Sequence, residues 1–313
     1  MNTICFIGEC MLELREDEQG RMQQSFAGDA YNSAVYLKRT FGQQHVSFMT
    51  ALGNDRISQK MRDTFISEDI ATASLLLASE QQPGIYLVQT DEQGERSFLY
   101  WRSQSAARTM MQSVTQEVID SLKHAKVLFF SGITLAVMVA EQRPLFWAML
   151  TQLKNAGVQI VFDPNYRQRL WQSEQQTRQQ YQLAFEMCDL MLPGVEDFHS
   201  LYGLNSVEQI IAFCQPFNIV ELVIKDGANQ VVTVLQGKKD YHNIVPVEQV
   251  IDTTSAGDAF NGVYLGARAS GRDVAEAVHM AAKAAGFVIR YPGAIVPADN
   301  YQYFANSLIG EEQ

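Results

Sequence analysis

The chain has 313 residues, 47% of them hydrophobic, which is enough apolar material for the core of a single α/β body. Its formal charge of −11, with no basic run to offset it, argues against a nucleic-acid or anionic-membrane partner, and an anionic small substrate would need a local cationic pocket. Four cysteines without paired spacing, no basic leader and no apolar stretch of membrane-spanning length point to an unprocessed protein of the reducing cytoplasm.

In chain order, residues 3–8 read as a buried strand leading into Gly8-Glu9-Cys10. That exit is not a Gly-x-Gly-x-x-Gly turn, which disfavours a dinucleotide-dependent dehydrogenase. Helical spacing follows over 31–40 and a strand over 46–52. Residues 84–101 then alternate as a hairpin turning at Glu92-Gln93-Gly94. Centring it on Gln93 sets Tyr86 opposite Tyr100 and gathers Tyr86, Val88, Phe98, Tyr100 and Arg102 on one face. Such a face suits closure over a small polar ligand, and equally suits ordinary core packing. The other face, Ile85, Leu87, Leu99 and Trp101, is apolar.

Strands over 127–132, 158–163, 189–193 and 221–225 alternate with helices over 144–156, 175–188 and 207–213, and a last clear helix covers 274–290. This rhythm predicts an α/β fold with a parallel sheet covered on both faces. No internal repeat or Pro/Ser-rich linker interrupts it, so residues 1–313 are expected to form one domain. His45, His124, His199, His242 and His279 form no metal-like pair.

The chemistry concentrates in Asp252-Thr253-Thr254-Ser255-Ala256-Gly257-Asp258. Small residues at a helix start let backbone N–H groups converge on an anion, where the helix dipole adds attraction. Asp258 would repel a phosphate merely held there, and so suggests a general base beside a phosphoryl-transfer site. Thr253 or Thr254 as a cap, with Asp258 complementing the dipole, explains the same residues.

This segment resembles the Asp-Thr-x-Gly-Ala-Gly-Asp signature of the ribokinase-like (PfkB) carbohydrate kinases, with Ser255 in place of the first glycine. Residues 27–34 are similar to that family's Gly-Gly-x-x-x-Asn-x-Ala motif, with Ala27 for the first glycine, and Lys225-Asp226-Gly227-Ala228-Asn229-Gln230 to its Lys-x-Gly-x-x-Gly turn. Phe162-Asp163-Pro164-Asn165-Tyr166-Arg167-Gln168-Arg169-Leu170-Trp171, together with Tyr100-Trp101-Arg102, resembles its 2-keto-3-deoxygluconate kinase branch.

The resemblance implies a three-layer α/β/α kinase with a small β-sheet lid from about 9–26 and 72–104, which often forms the dimer contact. It implies ATP and magnesium, with a monovalent cation beside Asp252 in some relatives. Asp258 would be the base, with the Ala256, Gly257 and Asp258 N–H groups on the transferring phosphoryl. Gly28, Asp29, Asn32, Tyr86, Tyr100, Arg102 and Arg167 would bind the sugar acid, the two arginines taking its carboxylate. Asn165, Lys225, Gly227, Asn229, Ser255, Ala256 and Gly257 would serve ATP. The family's magnesium-placing Asn-x-x-Glu falls on Gly194-Val195-Glu196-Asp197, so a direct protein ligand to the metal is not expected. A kinase of fructose or ribose, or a non-catalytic sugar-acid sensor on the same fold, are the rival readings.

Overall fold

In the computed structural model, which describes residues 3–17, 19–90 and 96–310, most of the apolar runs become strands of one large sheet. The strands in chain order are β1 (Thr3–Ile7), β2 (Met11–Glu16), β3 (Met22–Ala27), β4 (His45–Leu52), β5 (Leu75–Leu77), β6 (Ile85–Thr90) and β7 (Arg96–Trp101). They continue as β8 (Ala125–Ser131), β9 (Gln159–Asp163), β10 (Leu190–Met191), β11 (Glu221–Asp226), β12 (Gln230–Leu235) and β13 (Lys238–Asn243). The large sheet runs β13-β12-β11-β10-β9-β8-β1-β4-β5, parallel from β11 to β5, with β12 and β13 added antiparallel at one edge.

The helices are α1 (Asp29–Thr40), α2 (Arg56–Ser67), α3 (Gln116–Leu122), α4 (Gly132–Val137), α5 (Arg143–Asn155) and α6 (Glu174–Met187). After them come α7 (Val195–Tyr202), α8 (Val207–Cys214), α9 (Ala256–Ala269), α10 (Val274–Val288) and α11 (Ala298–Gly310). Alternation along the strands divides the core between the two faces. Ile4, Phe6, Val127, Phe129 and Val161 pack with α1, α9, α10 and α11. Cys5, Ile7, Leu128, Phe130 and Phe162 pack with α5, α6, α7 and α8. The expected three-layer arrangement is therefore present.

A second sheet, β3-β2-β6-β7, stands apart. Tyr86 pairs with Tyr100 in the register that the hairpin pattern predicts; its turn, Glu92-Gln93-Gly94, lies outside the described residues. The predicted strand over 189–193 shrinks to Leu190–Met191, and the β12–β13 hairpin and α2 had not been expected. Among the described residues no helix is long and apolar enough to cross a membrane.

Candidate active site

Two helix N-termini meet where the parallel strands end. Gly28 begins α1 because its neighbour comes too close for a side chain: a Cβ there would fall 2.0 Å from the Glu9 carbonyl oxygen. Its N–H donates to Asn32 Oδ1 at 3.2 Å, and Asn32 Nδ2 donates to Asp258 Oδ2 at 2.8 Å. The first turn of α1 thus holds the carboxylate in the first turn of α9. Asp29, on that same first turn, accepts from Ser131 Oγ at 2.5 Å and Asn165 Nδ2 at 2.9 Å. Asn165 reaches it from a left-handed backbone, φ 33°, which asparagine tolerates better than most residues.

At the head of α9 the N–H of Ala259 closes the first helical bond, to the Ser255 carbonyl at 2.9 Å. Ala256 N–H turns back to the Thr253 carbonyl at 3.3 Å, so it is not among the free donors. Among the described residues, the N–H groups of Gly257 and Asp258 are left as the orphan donors of the helix end, an anion hole by construction. Beside them lies a triangle of side chains. Lys225 Nζ is 3.0 Å from Asn261 Oδ1 and 3.4 Å from Asp163 Oδ2, and Asn261 Nδ2 donates to Asp163 Oδ2 at 2.6 Å. The Lys225 ammonium stands 3.9 Å from where a Gly257 Cβ would be.

Burial, with the charges of Asp29 and Asp163 adding to it, pushes the Asp258 carboxyl up to about 8, against the Asn32 hydrogen bond and the Arg167 charge. Burial foremost, then the Asp163 charge, also raises Asp197 to about 6. Asp197 is committed to backbone, accepting from Tyr166 N–H at 2.7 Å and Gly194 N–H at 3.0 Å. Asp252 is likewise engaged, accepting from Thr254 N–H at 3.0 Å and Thr254 Oγ1 at 2.5 Å in its own loop and from Gly293 N–H at 2.6 Å in the segment between α10 and α11. No group of three or more His, Cys, Asp or Glu side chains among the described residues is placed to hold a metal ion.

Toward the small sheet, positive charge collects around Tyr100. The Arg102 guanidinium lies 5.7 Å from its ring centre. Burial raises the Tyr100 hydroxyl, against the charges of Arg102, Arg167 and Arg169. Tyr86 goes elsewhere. Its ring is buried with Met11, Ala27, Val88 and Ala294, and its hydroxyl donates to Glu13, so packing rather than ligand contact occupies it.

A cavity of about 930 Å³ opens between residues 242–249 and helices α10 and α11. Ile244, Val247, Val278, Ala282 and Phe287 give it apolar walls, and His279, Lys283 and Arg290 give it polar ones. Its wall ends at Gln249, three residues before Asp252. The β11–β12 turn adjoins it: Gly227 is left-handed at φ 55°, Asn229 N–H donates to the Asp226 carbonyl at 3.0 Å, and the Asn229 carbonyl accepts from Ile244 N–H at 3.3 Å.

A family model described as pfkB family carbohydrate kinase matches residues 1–300. The chain belongs to that family. It is 35% identical over 302 residues to the 2-dehydro-3-deoxygluconokinase of Escherichia coli strain K12, covering 95% of this chain and 97% of that one. It is 28% identical over 265 residues to a fructokinase of Vibrio alginolyticus, covering 85% and 83%. Among solved structures, the fructokinase with bound ATP from Xylella fastidiosa has the same fold, with a TM-score of 0.83, 20% identity and 99% of each chain covered.

In this carbohydrate kinase hydrogen bonds join Gly28 to Asn32, Asn32 to Asp258 and Asn165 to Asp29, with Lys225 beside the first turn of α9; Arg167 is exposed after β9, and Arg102 is half-buried in an ion pair with Glu9, its guanidinium near the Tyr100 ring. Asn165 turns its amide to Asp29 and not toward the turn that carries Gly227 and Asn229. Sequence reasoning missed Asp163, Asn261 and Ser131, which bond to Lys225 and Asp29 in this cluster. It also missed the cavity, where Ile244, Val245 and Val247 stand outside any strand; Val245 is 87% exposed.

Proposed function

We propose that this kinase transfers the γ-phosphoryl group of ATP to the 6-hydroxyl of 2-keto-3-deoxygluconate, the sugar acid that its Escherichia coli relative is named for. The observation that carries the reading is the buried Asp258 carboxyl, held by Asn32 at the N-terminus of α9, in a chain 35% identical to that relative; Arg102 and Arg167 are the cations proposed for the acid end. 2-Keto-3-deoxygluconate is a chain with a carboxylate at C1 and a primary hydroxyl at C6, so it matches both ends at once. A neutral ketose has no use for the arginines.

Asp258, oriented by Asn32, takes the proton of the hydroxyl as its oxygen attacks phosphorus. The Gly257 and Asp258 N–H groups, with the Lys225 ammonium alongside, stabilise charge on the transferring phosphoryl. The 930 Å³ cavity beside Asp252 is within the usual range for a nucleotide-sized ligand and takes the adenosine end of ATP, with the Gly227–Asn229 turn at its rim. Magnesium would supply neutralisation of the phosphate charge, and phosphate oxygens and water would hold it, in keeping with carboxylates already engaged by protein donors. Residues 1–313 act as one kinase domain, with the four-stranded sheet as its lid, in a cytoplasm that keeps its four buried cysteines reduced. The test is ATP turnover with the acid, followed by location of the phosphate on O6.

The raised Asp258 value fixes the direction of the pH dependence. Asp258 accepts a proton only after losing its own, so kcat/KM should climb with pH through an ionisation near 8. Arg167 lowers that value, so Arg167→Ala should move the limb to higher pH. A profile flat from about pH 6 to about pH 9 in the wild type would contradict the assignment.

The lid is also proposed as the contact with a second copy of the chain. Pairing of Leu12 with Phe26 and Ile85, Leu14 with Leu87, Leu87 with Leu99, and Ile85 with Trp101 sets one apolar face across all four strands. Met22 is 52%, Leu99 43% and Trp101 57% exposed, more apolar surface than a small sheet usually leaves to water. Light scattering should find a dimer at micromolar concentration, and Trp101→Glu should dissociate it with loss of activity. A fully active wild-type monomer would contradict the contact.

A further inference from the structure

Glu9 takes no part in the chemistry above, yet it is buried to 3% exposure in the link between β1 and β2. Four links join the small sheet to the rest of the chain. Glu9 lies in the first and touches the other three. Its carbonyl oxygen packs on Gly28 between β3 and α1. Its carboxylate packs on Gly84 just before β6, where a Cβ would fall 2.9 Å from Oε1 and 3.1 Å from Arg102 Cβ. After β7, Arg102 forms an ion pair with it and Ser105 Oγ donates to it.

In a carboxylate so withdrawn from water, Oε1 accepts from Ser105 Oγ, and Oε2, which has no hydrogen-bond partner among the described residues, is left to the Arg102 charge. The effect on Arg102 is the more informative side of the pair. A guanidinium is a rigid planar fork with five donors, so an anion bound on one edge fixes its plane while other donors remain for a second anion. The ring of Tyr100 lies along the same group, 5.7 Å from its centre. Carboxylate and ring together restrict how Arg102 can be presented to the cleft.

We infer that Glu9 is a positioning residue for acid recognition: it holds Arg102 at the root of the lid in the orientation that receives the substrate carboxylate. The inference rests on the sugar-acid kinase reading above. The opposite role, competition with substrate for Arg102, predicts tighter acid binding once the Glu9 charge is removed.

The test is calorimetric binding of 2-keto-3-deoxygluconate and, separately, of ATP to the full chain carrying Glu9→Ala or Glu9→Gln, with KM and kcat measured on the same preparations. Glu9→Ala should weaken acid binding and raise its KM about tenfold or more, as loss of the support behind a binding group does, while ATP binding stays as in the wild type. Glu9→Gln retains an acceptor oxygen for Arg102 and should recover most of the affinity. Should Glu9→Ala not fold, Glu9→Asp decides: it keeps the charge, draws it back by one methylene, and should weaken acid binding at an unchanged melting temperature. Acid affinity equal to or above wild type in Glu9→Ala, Glu9→Gln and Glu9→Asp overturns the positioning role. A wild type that does not bind the acid would instead overturn the sugar-acid reading itself.

Discussion

Asp258→Asn is expected to fold, bind ATP and lose roughly 10²- to 10⁴-fold in kcat, the usual worth of a positioned general base. The amide is nearly the shape of the carboxylate, and its oxygen can still accept from Asn32 Nδ2. The anion hole is backbone and is unaffected. What disappears is the ability to take a proton. A second consequence follows from the raised carboxyl. Burial lifts Asp258 from its ordinary 3.8 to about 8, so between those values the folded protein holds a proton that the unfolded chain has released. Stability therefore falls as pH rises through that window and is level above it. The asparagine variant escapes this loss and should melt above the wild type at pH 8, with the gap closing toward pH 4. A variant both slower and more stable would mark the carboxylate as functional strain; near-normal single-turnover phosphorylation would remove Asp258 from the role of base.

Truncating either substrate arginine should separate acids from neutral sugars. Arg167 is exposed in the segment after β9, where its Nη1 donates to the Tyr166 carbonyl at 3.1 Å, and Arg102 lies at the root of the lid, ion-paired with Glu9 and 5.7 Å from the Tyr100 ring centre. Each charge-assisted hydrogen bond contributes roughly 1.5–3 kcal/mol, so Arg102→Ala or Arg167→Ala should each cost roughly 10- to 150-fold in kcat/KM for 2-keto-3-deoxygluconate. Fructose should lose far less. Because Arg167 also tunes Asp258, the comparison belongs above the pH limb, where the base is ionised in both proteins. Equal losses on acid and ketose would mean that these arginines serve phosphate, ATP or folding, and that the carboxylate has another partner.

The parts of this site that sequence exposes are those whose residues lie close together in the chain. The anion hole is one turn of one helix, and its small residues stand in a row from Thr253 to Gly257. The lid hairpin was legible to its register because alternation of period two fixes which side chains share a face. Face alone does not say what covers it. Tyr86 and Tyr100 lie on the same face, yet Tyr86 is sealed by Ala294 and bonded to Glu13, while Tyr100 remains 51% exposed. The Lys225–Asp163–Asn261 triangle joins residues 36, 62 and 98 positions apart, a proximity set by sheet order and the crossing of α9, not by local pattern. Lys225 was expected to serve ATP from its neighbours in sequence, which did not show that its ammonium would lie beside the first turn of α9. The β12–β13 hairpin escaped notice because its outer strand is mostly polar, as edge strands often are.

The central claim is that a carboxylate at one end of the substrate and a hydroxyl at the other are recognised together. It is tested most directly by kcat/KM of the wild-type kinase, at saturating ATP, for 2-keto-3-deoxygluconate, its C4 epimer, gluconate, fructose and ribose. 2-Keto-3-deoxygluconate should be the best substrate and should carry its new phosphate on O6. Fructose preferred over every acid would contradict the account.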